Sequence, residues 1–357
     1  MAALKFSRVA GVTLVGAALL LTACAKEDAT SSSSGAAPSD AAQSVQSASG
    51  DLCTPDAYAG GVEKIDLQNA TVGFAQSEKE ANPFRTAETQ SIVDEAEARG
   101  IKLIKTNAGG DLNQEISDIQ SLISQGADVL IISPLKSEGL DPALDVAKEE
   151  GVPIMTIDRL LTTKTACEDY IGWVGSDFVE QGKRAADAMN KATGGTAKAV
   201  TLLGAAGVNV TDDRNSGYVE QIEAVAPGIE IVAEQSADFD RAKGQTVTAQ
   251  LLQSNPDLNA IYAHNDEMAL GAVAALKAAG KQPGDVKIIT IDGTQGAVQG
   301  LVDGWIAGVI ESNPRFGPLA FKALDDFYNG DGVPATQIIE DKEYTPENAQ
   351  AELANAY

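Results

Sequence analysis

The chain has 357 residues, 44% of them hydrophobic and 5% aromatic, with a formal net charge of -25 at pH 7. That length exceeds what one α/β domain usually holds and supplies material for packed cores in two lobes. So acidic a balance excludes nucleic acid and anionic lipid as electrostatic partners, because phosphate binding rests on Lys and Arg, while a neutral ligand stays compatible with it.

Lys5 and Arg8 precede an apolar run over residues 9–21 that is too short and wrongly flanked for a membrane span. This predicts an export signal over residues 1–23. Leu21-Thr22-Ala23-Cys24 resembles the lipobox of bacterial lipoproteins, in which the cysteine thiol is lipidated and becomes the new amino terminus after cleavage. An ordinary secretory signal that ends beside a cysteine is the other reading. From residue 25 to about 50 the chain is Ser, Ala, Gly, Gln and Asp with almost nothing to bury, which predicts a flexible tether. A lipid at one end of such a tether holds a globular part near, but off, the membrane surface. With Cys24 assigned to lipid, Cys53 and Cys167 are left of the three cysteines. In an exported protein that even remainder favours a disulfide, tying the segment after the tether to a loop of the first lobe, over two separate buried thiols.

After Thr71 apolar runs alternate with helix-period segments. The run over 71–75 leads into Gln76-Ser77, and a helix over 88–99 places Ile92, Val93 and Ala96 on one face before Gly100 stops it. Leu112, Ile116, Ile119 and Ile123 follow in helical register ahead of Gly126, then 129–132 runs into Ser133-Pro134, and 153–157 into Asp158-Arg159. Strand, helix, glycine, strand is the signature of stacked βαβ units with right-handed crossovers. A second series starts at 199–203 on the same plan: Arg85 starts a helix that ends at Gly100-Ile101, and Arg214 one that ends at Gly228-Ile229. In that series 260–263 runs into His264-Asn265-Asp266, and 287–291 into Asp292-Gly293. Polar residues at the carboxyl ends of parallel strands are placed to meet ligands, and two similar lobes facing each other describe a cleft that can close on a small molecule.

At Asn82-Pro83-Phe84, Ile157-Asp158-Arg159, Ala237-Asp238-Phe239-Asp240-Arg241 with Lys243-Gly244, the 264–271 stretch and Ile291-Asp292-Gly293, the chain resembles the type I periplasmic sugar-binding proteins. These are substrate-binding components of ABC importers, and the resemblance is to their ribose- and galactofuranose-binding branch over essentially everything after residue 70. It implies an α/β fold of two doubly wound parallel-sheet lobes joined by a three-strand hinge. The N-terminal lobe would be 71–176 plus 311–341 and the C-terminal lobe 177–310 plus 342–357, behind a signal peptide at 1–23 and a lipid-anchored tether and lead-in at 24–70. Sugar contacts carried over from the family fall on Asn82, Phe84, Asp158, Arg159, Arg214, Phe239, Asn265, Asp292 and Glu311. Ribose-binding relatives typically present two successive aromatics where this chain has Phe84-Arg85, so Arg85 joins the contacts and the similarity shifts toward galactofuranose-binding relatives. The ligand implied is a neutral monosaccharide, in a furanose form such as galactofuranose, fructose or arabinofuranose ahead of ribose. The implied partners are an ABC permease and its ATPase subunit, with a monomeric receptor held outside the cytoplasm on the cell membrane.

A sugar hydroxyl both donates and accepts, so acceptor-only Asp158 and Asp292, donor-only Arg159 and Arg214, and the mixed Asn265 suit it, while Phe84 and Phe239 suit the apolar ring faces. The residues alone leave blander fates open. Phe84 and Phe239 could be core aromatics, Asp158-Arg159 a surface ion pair, Asn265-Asp266 a helix cap, and Arg85 and Arg214 solvated charges. Enzyme readings find less: His264 is the only histidine, and no His/Cys cluster has metal spacing. No phosphate loop occurs, and Gly204-Ala205-Ala206-Gly207 lacks dinucleotide spacing. Asp158 and Asp292 as a hydrolytic pair are not distinguished from ordinary ligand contacts. No metal, cofactor or catalytic activity is expected. A LacI-type repressor core would share the fold but requires a helix-turn-helix before residue 71, where this chain has a signal, a cysteine and a tether; a receptor feeding a sensor system is a further alternative.

Overall fold

A computed structural model describes residues 45–47 and 50–357; the signal segment, Cys24 and most of the tether lie outside the described residues. The first series of elements is β1 (Val45–Ser47), β2 (Thr71–Gln76), α1 (Pro83–Arg99), β3 (Lys102–Asn107), α2 (Leu112–Ser124), β4 (Val129–Ser133), α3 (Asp141–Glu149), β5 (Ile154–Ile157) and β6 (Trp173–Ser176). The second is α4 (Phe178–Thr193), β7 (Thr196–Leu203), α5 (Asn209–Val225), β8 (Gly228–Ser236), α6 (Arg241–Ser254), β9 (Ala260–Ala263), α7 (Asp266–Ala278), β10 (Lys287–Asp292), α8 (Gln295–Val302) and β11 (Gly308–Glu311). Then come α9 (Gly317–Asn329), β12 (Thr336–Ile339), β13 (Glu343–Tyr344) and α10 (Ala349–Glu352).

These strands form a seven-stranded sheet in the order β1-β12-β6-β5-β4-β2-β3 and a six-stranded sheet in the order β13-β11-β10-β9-β7-β8. Pairing is parallel throughout except at one edge of each sheet, where β1 runs antiparallel to β12 and β13 antiparallel to β11. The central strands are continuous apolar runs because helices cover both faces, so Val129–Ser133 and Ala260–Ala263 are buried at every position. The chain passes between the sheets after β6, after β11 and after β12: α4 packs under β10 and β11, whereas α9 returns to α1.

Three helices bear directly on the site. α4 and α5 cross at glycines; a Cβ on Gly182 would stand 2.3 Å from the Arg214 carbonyl oxygen, and one on Gly217 2.1 Å from that of Val179. That close approach sets Arg214 against the α4 side chains. α1 starts at Pro83, earlier than the helical periodicity alone indicates, because the Asn82 side chain accepts from the Phe84 amide at 3.0 Å and proline suits the first helical position. α5 likewise starts at Asn209, so Arg214 lies in its second turn rather than at its start, behind the buried anchors Val208 and Val210.

The expected tether is shortened by the structure. Val45–Ser47 pairs with residues 337–339 of β12, covering what would otherwise be an open sheet edge. Cys53 and Val333 exchange backbone hydrogen bonds of 2.7 and 2.9 Å, and Tyr58 is buried edge-on against Phe327 with ring centroids 5.8 Å apart. The lead-in is therefore part of the first lobe's core. Cys53 and Cys167 are joined by a disulfide, as the cysteine count suggests, and Ala59 donates to the Cys167 carbonyl at 3.2 Å beside it. The bridge spans a sequence separation of 114 residues. Replacing both cysteines by alanine is expected to lower the unfolding free energy by about 2–4 kcal/mol. Denaturant titration reads this directly, and an unchanged midpoint would show the bridge to be energetically idle.

Candidate ligand-binding site

Strand ends and helix starts from both lobes meet at one cavity of about 360 Å³, mouth included. Its lining mixes apolar side chains with a few convergent polar ones, as small-molecule pockets do. The first lobe supplies Glu78 from the loop after β2, Asn82, Phe84 and Arg85 from the start of α1, and Asp158 and Arg159 from the end of β5. The second supplies Val210 and Arg214 from α5, Phe239 from the turn before α6, Asn265 from the end of β9 and Asp292 from the end of β10.

Arg85, Arg159 and Arg214 are each 3% exposed, which rules out solvated charges as their role. Each is met by acceptors. Arg85 Nε donates to Glu78 Oε2 at 2.8 Å, while its Nη1 lies 2.8 Å from Glu88 Oε2 and 2.7 Å from Asp158 Oδ2. Arg159 Nη2 donates to the same Glu78 oxygen at 2.9 Å and its Nη1 to the Leu135 carbonyl at 2.6 Å. Arg214 Nε donates to Gln181 Oε1 at 2.9 Å and Nη1 to the His264 carbonyl at 2.6 Å, with Nη2 3.7 Å from Asp292 Oδ1. Burial by itself would raise the Glu78 carboxyl, but Arg159 and Arg85 outweigh it and bring it down to about 2, so it is ionised at any working pH. Asp292 goes the other way: desolvation pushes it well up, against the opposing pull of Arg214.

Arg159 Nε is buried with no hydrogen-bond partner. A buried donor left unmade costs about 1–3 kcal/mol, so this N–H is an open donor of the cavity lining. The two facing carboxylates also sit on constrained backbone: Asp158 has φ 62° and Asp292 φ 141°, a region that non-glycine residues occupy at a cost of order 1–3 kcal/mol. Trp173 Nε1 donates to the Asp158 carbonyl at 2.9 Å, and the Ser312 amide to that of Asp292 at 2.8 Å, which hold these conformations. Phe239, at φ 58°, packs so closely on Gly204 that a Cβ there would stand 2.0 Å from its ring.

A second layer supports the first. Gln76 and Ser133 donate to Glu88 at 2.8 and 3.0 Å, and the Leu135 amide donates to Glu115 beneath Arg159 at 3.2 Å. Asn265 accepts from the Met268 amide at 3.0 Å, so it caps α7 and lines the cavity at once. Across the cleft, the Asn209 amide donates to Ser137 Oγ at 2.9 Å, the Leu160 amide to Asn209 Oδ1 at 3.2 Å, and the Lys136 ammonium to the Ala206 carbonyl.

Glu311 is the exception among the expected contacts. Its buried carboxylate accepts from the Lys342 amide at 2.9 Å and from Tyr344 Oη at 3.0 Å, because β13 folds back beside β11 and claims it. Glu78 and Val210 line the cavity without having been anticipated. For Glu78 the available signal was its place just after a strand end, but Ser77-Glu78-Lys79-Glu80 reads as an ordinary polar loop.

Burial raises Glu115 from its ordinary 4.5 to about 8, so in the folded protein it keeps its proton at neutral pH. A raised carboxyl favours the fold below its unfolded value, and that contribution is lost as pH rises through about 8. Glu115→Gln has no such titration. Its melting temperature relative to the native chain is expected to climb from pH 5 to about pH 8 and to level off above that; a gap that does not change with pH would count against this.

Residues 72–331 match the family model described as "Periplasmic binding protein domain". The chain is 37% identical over 267 residues to the ribose import binding protein RbsB of Bacillus subtilis (strain 168), covering 74% of this chain and 84% of that protein. It is 34% identical over 290 residues to the galactofuranose-binding protein YtfQ of Escherichia coli (strain K12), covering 79% and 90%. Among solved structures it resembles the binding protein of the arabinose ABC transporter from Shewanella sp. ANA-3 bound to α- and β-L-arabinofuranose, with TM-score 0.76, 33% identity, and coverage of 80% of this chain and 95% of that one.

Proposed function

We propose, from the premise that this chain belongs to the periplasmic binding protein family and to its ribose- and galactofuranose-binding branch of ABC-importer sugar receptors, that its ligand is a neutral monosaccharide in a furanose form. The observation that carries the reading is the balance of charge in the cavity. Arg85, Arg159 and Arg214 face the carboxyl groups of Glu78, Asp158 and Asp292, so positive charge in the lining is opposed from within and few donors are left for a ligand. A ring of hydroxyls can satisfy such a lining, the orphaned Arg159 Nε included, whereas a sugar phosphate would meet carboxylates. Phe84 and Phe239 supply apolar walls from opposite lobes. The furanose preference rests on the buried Phe84-Arg85 pair and on the likeness to the galactofuranose- and arabinofuranose-binding proteins.

In this reading Asn82, Phe84, Arg85, Asp158, Arg159, Arg214, Phe239, Asn265 and Asp292 contact the sugar and Glu78 joins them, while Glu311 supports the wall behind Asp292. The lobes are residues 71–176 with 311–341 and 177–310 with 342–357, and a ligand that touches both favours their closed arrangement. The loaded receptor, held at the membrane through Cys24, delivers the sugar to a permease driven by a cytoplasmic ATPase.

Calorimetric titration with ribose, arabinose, galactose, fructose, glucose and a sugar phosphate tests the reading; tight binding of ribose alone, or of the sugar phosphate, would overturn this reading of Arg85. Arg159→Ala or Asp292→Ala leaves a buried charge without its partner, which costs ~2–5 kcal/mol, or roughly thirtyfold to several thousandfold in affinity. An unchanged dissociation constant in either variant places that residue outside the site.

A further inference from the structure

We propose that Glu78 is the residue that keeps this cavity selective for uncharged ligands, by occupying an arginine edge that would otherwise clamp a carboxylate or phosphate; the proposal rests on the sugar-binding reading above. Both hydrogen bonds to the Glu78 carboxylate go to one oxygen, Oε2, from Arg85 Nε at 2.8 Å and Arg159 Nη2 at 2.9 Å. The two arginines depend on it unequally. Without Glu78, Arg85 would still have Glu88 and Asp158 at 2.8 and 2.7 Å. Arg159 would keep only the Pro134 and Leu135 carbonyls on Nη1, with Asp158 Oδ2 4.0 Å from its Nε.

The geometry of a guanidinium puts Nε–H and one Nη–H side by side, and that edge matches the two oxygens of a carboxylate or phosphate. In Arg159 this edge is half used: Nη2 is held by Glu78, and Nε is buried with no partner. A hydroxyl oxygen can take the single open donor. An anionic group needs the whole edge, and to reach it must displace or lie against the Glu78 carboxylate, which repels it. Glu78 belongs to the cavity lining and not to the second layer, so this repulsion acts on the ligand directly. Glu115, under Arg159, keeps its proton at neutral pH and leaves the positive charge of Arg159 to be balanced mainly from the cavity side.

The test uses the full-length protein with Glu78→Gln, which preserves shape and removes charge, and Glu78→Asp, which preserves charge. Each is titrated with galactonate, ribose 5-phosphate and inorganic phosphate, and with the neutral sugars named above. Glu78→Gln is expected to bind at least one of these anions tenfold or more tighter than the native chain does, and its neutral sugar about tenfold more weakly. Glu78→Asp should gain nothing for anions. Anion affinity unchanged in Glu78→Gln, or raised equally in Glu78→Asp, overturns the proposal. If Glu78→Gln fails to fold by its melting profile, Glu78→Ala is read by the same criteria. A native chain that binds no neutral sugar, alongside a Glu78→Gln variant that gains the anion, would sink the sugar reading and leave the role of Glu78 standing.

Discussion

An arginine taken out of water must find acceptors for a rigid fork of donors, and this cavity buries Arg85, Arg159 and Arg214 together. Taking an ion out of water costs several kcal/mol, which is offset only where partners and geometry are supplied in full. Much of the surrounding structure can be understood as that supply. Glu78, Glu88 and Asp158 converge on Arg85, backbone carbonyls of residues 134 and 135 serve Arg159, and Gln181 with the His264 carbonyl serves Arg214. Because these donors are spoken for inside the protein, few are left over, and Arg159 Nε is one of them. In the proposed reading, specificity follows from subtraction: the ligand is whatever fits the hydrogen-bonding capacity that the protein has not already used.

The same constraint explains why the lobes are built as they are. Parallel strands buried on both faces end together, so β5, β9 and β10 deliver Asp158, Asn265 and Asp292 to the same region without long loops. Their positive-φ or capping conformations are held by bonds from Trp173, Ser312 and Met268, which fixes where the polar atoms can go. The glycine contacts between α4 and α5 bring Gln181 within reach of Arg214, and a methyl group at either crossing would push that pair apart. Placement of a charge in the cavity thus depends on how closely the backbones of α4 and α5 pack.

Support also comes from a part of the chain that does not touch the cavity. The lead-in from β1 through Tyr58 is stitched to β12, to Phe327 and, through the disulfide, to the loop at Cys167. That loop begins just after Asp158 and Arg159 and returns the chain to β6. Cross-linking it removes freedom from a segment that begins just after two residues of the cavity lining.

The alternation of apolar runs and helix-period segments made the βαβ plan legible from the sequence, since strands buried on both faces cannot hide their hydrophobicity. The polar strand ends Asp158, Asn265 and Asp292 were legible for the same reason: the pattern breaks where the sheet ends. Arg85 could equally have been solvated on sequence grounds, and its burial is a property of the assembled site. Glu78 and Glu311 mark the limit most clearly. One sits in an unremarkable acidic loop yet holds two arginines, and the other ends a strand yet is turned to Lys342 and Tyr344. What the sequence by itself determined is which segments are strands and helices and which polar residues stand at their ends, because those follow from local periodicity. Which carboxylate meets which arginine was decided only by the tertiary structure, because a side chain some 3 Å from its partner owes that contact to residues far away in the chain that fix the register of the sheets and the crossing of the helices.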